Sequence, residues 1–148
     1  LLIILFIFIC FQISYGAFVS GTHSGLLYNT WPLYNGSILP FIENTQIRWI
    51  INFFENGEYI IFIHRTFAMI ILLLLLYLNY SIIVNRRINS YYPVIIFFNI
   101  TFILQIILGI SMTYLNIPWY LALLHQGNSI LVFLLSLFMY QLSLKSPQ

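Results

Sequence analysis

The sequence predicts an all-α integral membrane protein, a four-helix bundle with a long outer loop that carries a short interfacial helix. Of its 148 residues, 61% are hydrophobic and only 5% are charged, whereas a soluble domain carries roughly 25% charged residues. Four apolar stretches are each long enough to cross a hydrocarbon core, which takes ~20 residues of helix. A polar stretch rich in turn-forming residues separates the first two.

The four predicted spans cover about 1–19, 58–84, 92–114 and 118–142, and residues 1–148 are predicted to form a single four-span bundle. Pro118 suits the first turn of the fourth helix, where a missing N–H costs nothing. The chain begins without a methionine and directly in an apolar run. We therefore expect a fragment or a trimmed start.

The outer loop, residues 20–56, is rich in Gly, Asn, Pro and Trp, which is typical of ordered turns. Within it, residues 46–54 place large apolar side chains around Arg48. This composition predicts a short helix lying in the membrane interface, in contact with lipid.

The positions of the basic residues predict how the protein is oriented in the membrane. Arg86 and Arg87 lie between the second and third spans, and Lys145 follows the fourth. Basic residues favour the cytoplasmic or matrix side, so the long loop and the 115–117 turn are predicted to face outward. The net charge of +2 is too small and too scattered for a nucleic-acid partner.

Two histidines stand inside apolar spans, where an ionisable residue points to a functional site. His64 lies seven residues beyond Gly57 and His125 seven beyond Pro118, so both are about 10 Å deep from the outer surface at ~1.5 Å per residue. Two neutral imidazoles that converge at equal depth can hold a haem iron from both faces. The sequence therefore predicts His64 and His125 as axial ligands.

A five-residue pattern occurs twice, at Gln12–Gly16 and at Gln105–Gly109, and each copy precedes a span with a buried histidine. The chain therefore resembles a duplicated helical hairpin. Residues four apart share one helix face, and glycine permits close helix contact in lipid. The pattern is interpreted either as a packing device or as room for a flat macrocycle.

Arg65 follows His64 but points ~100° away around the helix. Two interpretations stay open: its side chain extends toward the surface, or it pairs with a haem propionate. His23 in the outer loop is expected to be solvated. Neither a Cys-x-x-Cys nor a His-Glu-x-x-His pattern indicates another metal site.

Three segments resemble haem A synthase, and more narrowly the C-terminal half of its alphaproteobacterial and mitochondrial type. They are GAFVSGTHSGLLYNTWPLYNG at 16–36, NFFENGEYIIFIHR at 52–65 and QIILGISMTYLNIPWYLALLHQ at 105–126. The resemblance implies an eight-span protein of two similar halves that oxidises a methyl group of haem O to the formyl group of haem A. It implies a bacterial plasma membrane or mitochondrial inner membrane location and a role in cytochrome oxidase assembly.

In that family the N-terminal half holds the substrate haem, with a glutamate three residues before its first histidine. The C-terminal half holds a haem b. The resemblance thus implies haem b as the cofactor here, with His64 and His125 as its ligands. It also implies an N-terminal catalytic half as partner, in the same or a separate chain, with haem O synthase and cytochrome oxidase assembly factors as further partners.

The chain departs from the catalytic half at one position. Three residues before His64 stands Ile61 rather than glutamate, and the nearest acid is Glu58. A carboxylate at that spacing would share the face of the histidine. We therefore expect the haem b half, without catalytic residues of its own. The alternatives are a b-type cytochrome that relays electrons, a structural subunit without haem, and a homodimer of this half.

Overall fold

The computed structural model describes residues 1–40, 49–84 and 92–145. Its α-helices are α1 (Leu2–Gly21), α2 (Trp49–Glu55), α3 (Gly57–Val84), α4 (Tyr92–Tyr114) and α5 (Trp119–Lys145). Of these, α1, α3, α4 and α5 are long and apolar enough to cross a membrane. The chain is therefore an integral membrane protein of the all-α class. The predicted span bounds differ from the helix bounds by three residues or fewer.

The four long helices surround a common centre. Helix α1 packs against α3 and α5, and α4 packs against α5. Between α3 and α4, the amides of Asn79 and Asn99 exchange two hydrogen bonds of 3.0 and 2.9 Å. The helices therefore follow one another around the bundle in the order α1, α3, α4, α5, and α3 and α5 lie diagonally opposite.

The larger of two hydrophobic clusters among the described residues occupies one end of this bundle. It joins the beginnings of α1 and α4 to the ends of α3 and α5, and its fully buried members include Leu5, Ile71, Phe98 and Met139. Towards the other end, the described residues of α1 after Ile9, of α4 after Phe102 and of α5 before Val132 include no fully buried hydrophobic side chain. This second end, where α3 and α5 begin, is called the outer end below.

The outer loop is ordered by turns where it is described. A short 3-10 turn covers Ser24–Leu26, and Tyr34 and Ser37 pair through two backbone hydrogen bonds. Asn35 and Gly36 between them both have positive φ, as a tight hairpin turn of the mirror-image type requires. The prediction of ordered turns is confirmed for residues 22–40.

Helix α2 covers part of the predicted interfacial segment. Residues 46–48 of that segment lie outside the described residues. Arg86 and Arg87, on which the predicted orientation depends, also lie outside them. Only Asn56 separates α2 from α3. The side-chain oxygen of Asn56 accepts hydrogen bonds from the backbone N–H groups of Glu58 and Tyr59. Asn56 thus caps α3 and fixes where the histidine-bearing helix begins.

Candidate functional site

The two histidines of the membrane spans lie at the outer end of the bundle. His64 is the seventh residue after the first of α3, and His125 is the sixth after the first of α5. Because α3 and α5 begin at the same end, their histidines lie at nearly the same height. The structure thus brings together the two predicted ligands across the diagonal of the bundle.

Each imidazole rests on a glycine of a neighbouring helix. A Cβ atom added to Gly16 of α1 would lie 3.4 Å from Cε1 and 3.9 Å from Nδ1 of His64. A Cβ atom added to Gly109 of α4 would lie 3.2 and 3.7 Å from the same two atoms of His125. Both rings therefore turn the same edge toward their glycine, and a larger residue would occupy the space that the ring uses.

The Nδ1 atoms of His64 and His125 are buried and have no hydrogen-bond partner. Since Nδ1 faces the neighbouring helix, Nε2 is the ring nitrogen left for a ligand. Half-buried imidazoles whose buried Nδ1 atoms lack partners, each lying close against a glycine, fit a site for a flat metal-bearing group.

The two glutamines of the repeated pattern make different contacts. Nε2 of Gln12 lies 3.3 Å from Nε2 of His64, while Oε1 of Gln12 is buried without a partner. Nε2 of Gln105 instead donates to the backbone oxygen of His125 at 3.0 Å. The amide of Asn128 donates to Oε1 of Gln105 at 2.7 Å and to the backbone oxygen of Thr101 at 2.9 Å. The side chain of Gln105 is therefore held away from the His125 imidazole, although its position in the repeated pattern matches that of Gln12 beside His64.

Arg65 extends toward the outer loop. Its guanidinium carbon lies 4.8 Å from the ring centre of Tyr34, and Nη2 donates to the backbone oxygen of Tyr28 at 3.4 Å. Burial raises the pKa of the Tyr34 phenol, so Arg65 meets a neutral aromatic ring. Its Nη1 is buried without a partner. A pocket of about 190 Å³ beside Arg65, lined also by Trp31 and Phe62, leaves room for an anionic group.

Three residues before His64, both the side chain and its surroundings are apolar. Ile61 is buried and packs in one cluster with Tyr28 and Tyr34. Glu58, at the first turn of α3, accepts a hydrogen bond from the hydroxyl of Tyr28 at 3.4 Å. The nearest carboxylate along α3 is thus tied to the outer loop.

Other candidates lie outside this arrangement. His23 is exposed in the outer loop, as expected for a solvated side chain. No cluster of three or more His, Cys, Asp or Glu side chains that could hold a bare metal ion occurs among the described residues. The sequence reasoning missed Asn128, although a polar residue inside an apolar span is itself a signal of function.

Comparison with known proteins identifies the family. The model of the cytochrome oxidase assembly protein family matches residues 1–137. A haem A synthase from Wolbachia sp. subsp. Brugia malayi is 41% identical over 134 residues, which are 88% of this chain and 37% of the relative. The haem A synthase from Wolbachia pipientis wMel is 39% identical, over 91% of this chain and 37% of the relative. The one from Brucella ovis is 37% identical, over 82% of this chain and 34% of the relative.

The chain spans little more than a third of the length of these relatives. No solved structure matches it. The match of the family model covers nearly the whole chain and includes both His64 and His125. The chain therefore belongs to the haem A synthase family of cytochrome oxidase assembly proteins.

Proposed function

We propose that the chain is the haem-b-binding half of a haem A synthase and that His64 and His125 are the axial ligands of one haem. The observation that carries the proposal is the pairing of two half-buried imidazoles on diagonal helices, each with a buried Nδ1 and each lying against a glycine. At the outer end of the bundle, α1, α4 and α5 contribute no buried hydrophobic side chain among the described residues. A flat macrocycle would supply the apolar surface that this end lacks.

A bound haem would supply one-electron oxidation and reduction. The chain's part is to hold it from two rigid helices, which keeps the reorganisation on electron transfer small. The Cε1–Nδ1 edge of each ring lies against its glycine, which leaves Nε2 as the nitrogen suited to be a ligand. Arg65, with its unpartnered Nη1, is suited to bind a propionate carboxylate.

Electron relay rather than methyl oxidation is the role we assign to this half. A general base needs to lie within hydrogen-bond reach of the reacting group. Ile61 supplies none, and Glu58 is bonded to Tyr28 at the outer loop. We therefore place the oxidation of haem O in an N-terminal half, in the same chain or a separate one.

A b-type cytochrome subunit that relays electrons without haem A synthesis is the second candidate. The apolar environment of Ile61 also favours a b-type cytochrome, because electron relay alone would not need a carboxylate at that position. The two candidates differ in their partner. Association with a second four-span half that carries the missing glutamate supports haem A synthase, whereas association with a respiratory complex alone supports the cytochrome.

The proposal also places the haem near the outer surface, because the basic residues Arg86 and Arg87 are predicted inside. Cysteine residues introduced at Asn35 and Asn89 test this with a membrane-impermeant thiol reagent, in a Cys10→Ser background. Labelling from outside is expected at position 35 only. Preferential labelling at position 89 would invert the orientation.

The function itself is tested on the purified chain in two steps. Pigment analysis is expected to find one haem b per chain, with a low-spin reduced spectrum. The chain is then supplied with haem O and an electron acceptor, and haem A is followed by chromatography. No haem A is expected until an N-terminal half is added. Turnover by the chain alone would contradict the relay role and favour a homodimer, and absence of haem from the chain would contradict the proposal as a whole.

A further inference from the structure

We infer that Gln12 is a displaceable cap on the ligand nitrogen of His64, and that haem is therefore taken up through His125 first. The inference rests on the proposed haem site and concerns the order in which its two ligands engage. It follows from the different contacts of two glutamines that occupy the same position in the repeated pattern.

The contact between Gln12 and His64 involves the nitrogen that a metal needs. Nδ1 of His64 is buried against α1, so Nε2 is the atom available for coordination. Nε2 of Gln12 lies 3.3 Å from it. One lone pair cannot accept an amide hydrogen and bind iron at the same time. Haem binding through His64 therefore requires the Gln12 side chain to leave.

Gln12 is held weakly enough to leave. Its Oε1 is buried and has no hydrogen-bond partner, so the amide is anchored by the histidine contact alone among the described residues. The contact is long for a hydrogen bond. A neutral side-chain hydrogen bond inside a membrane protein contributes little net stability, so coordination by iron can replace it.

The second glutamine cannot act in this way. Both ends of the Gln105 amide are occupied, by the backbone oxygen of His125 and by the amide of Asn128. In the first repeat the residue that corresponds to Asn128 is Phe67, which packs against Phe8 and Tyr15 of α1 and offers no hydrogen bond to Gln12. Among the described residues, no side chain is bonded to the His125 ring, whose Nε2 is free to bind at once.

The experiment measures haem uptake by haem-free chain in detergent, followed by stopped-flow absorption. A high-spin species is expected to form first and to convert to the low-spin form as the second histidine engages. His64→Ala is expected to keep the first phase and lose the second. His125→Ala is expected to slow the first phase. The opposite assignment of the two phases would overturn the inference.

Four substitutions distinguish an effect of the Gln12 contact from general damage to the fold. Gln12→Leu removes this contact and is expected to speed the second phase by roughly three- to fivefold, the size of one such hydrogen bond. Gln12→Met is expected to do the same. The matched control Gln105→Leu is expected to leave that phase unchanged. Asn128→Leu releases Gln105 onto His125 and is expected to slow the first phase.

These results also separate the inference from the proposed function. If the wild-type chain takes up no haem, the haem site itself is wrong, and the inference falls with it. If haem binds through both histidines but Gln12→Leu and Gln105→Leu change the second phase equally, or not at all, only the inference is overturned.

Discussion

The first half-site (Gln12, Gly16, His64) and the second half-site (Gln105, Gly109, His125) have the same residue types and different contacts. In both, the imidazole lies against a glycine of the neighbouring helix. In the first, the glutamine amide reaches the ring. In the second, it reaches the backbone of the histidine and is held there by Asn128. The two half-sites thus share the contact between imidazole and glycine and differ in the residues around it.

The divergence extends to the residue that follows each histidine. Arg65 is packed under the outer loop, against Tyr34 and the backbone of Tyr28, whereas Gln126 is exposed. One half-site therefore carries a cationic side chain beside its histidine, whereas the other carries a neutral one. The shared contacts are suited to hold the iron, and the differences are suited to fix which way the macrocycle lies.

The largest effect on haem affinity is expected when a large side chain replaces either of the two glycines against which the imidazoles lie. Gly16→Leu and Gly109→Leu each place a side chain where an imidazole lies. Overpacking of this kind costs about 1–3 kcal/mol, which lowers haem affinity by roughly 5- to 150-fold. Haem content per purified chain measures the loss. Retention of full haem content in either variant would show that its glycine does not seat a ligand.

A smaller effect is expected at the residue after each histidine. Arg65→Gln removes the charged donor and is expected to weaken haem retention by roughly tenfold, as the loss of one charged hydrogen bond does. Gln126→Ala is the matched control and is expected to have no effect. Transfer of haem to apomyoglobin measures both. Equal retention in the two variants would remove Arg65 from the site.

The smallest expected effect on haem affinity distinguishes Gly16 from Gly109. Gly16→Ala brings a Cβ to 3.4 Å from the His64 ring, an ordinary contact, whereas Gly109→Ala brings one to 3.2 Å from His125. Gly109→Ala is therefore expected to lower haem affinity by up to roughly fivefold, about 1 kcal/mol, and Gly16→Ala to leave it unchanged. A haem titration of both variants measures the difference. A larger loss for Gly16→Ala would contradict the geometry of the two glycine contacts.

The sequence predicted the spans closely because hydropathy and length alone decide whether a helix can cross a membrane. It also predicted that His64 and His125 share a height, since helix rise converts residue number into depth. The repeated glycines were interpreted as packing devices or as room for a macrocycle. The structure shows what they have in common, which is that each leaves space for an imidazole.

The contacts that distinguish the half-sites could not be predicted from the repeat. Whether a glutamine reaches the ring depends on the residue three positions after each histidine, and there Phe67 packs against aromatic residues of α1 while Asn128 binds Gln105. The direction of Arg65 likewise depends on how the outer loop folds over α3. Such contacts arise from tertiary packing, which the periodicity of a single helix does not encode.

The most direct test of the central claim, that each half-site supplies one ligand to a single haem, is electron paramagnetic resonance of the oxidised chain and of His64→Ala and His125→Ala. The wild type is expected to give the low-spin signal of a haem with two histidine ligands, at one haem per chain. Each variant is expected to lose that signal and to give a high-spin signal or no haem. An unaltered low-spin signal in either variant would contradict the claim, because that histidine would then not be a ligand.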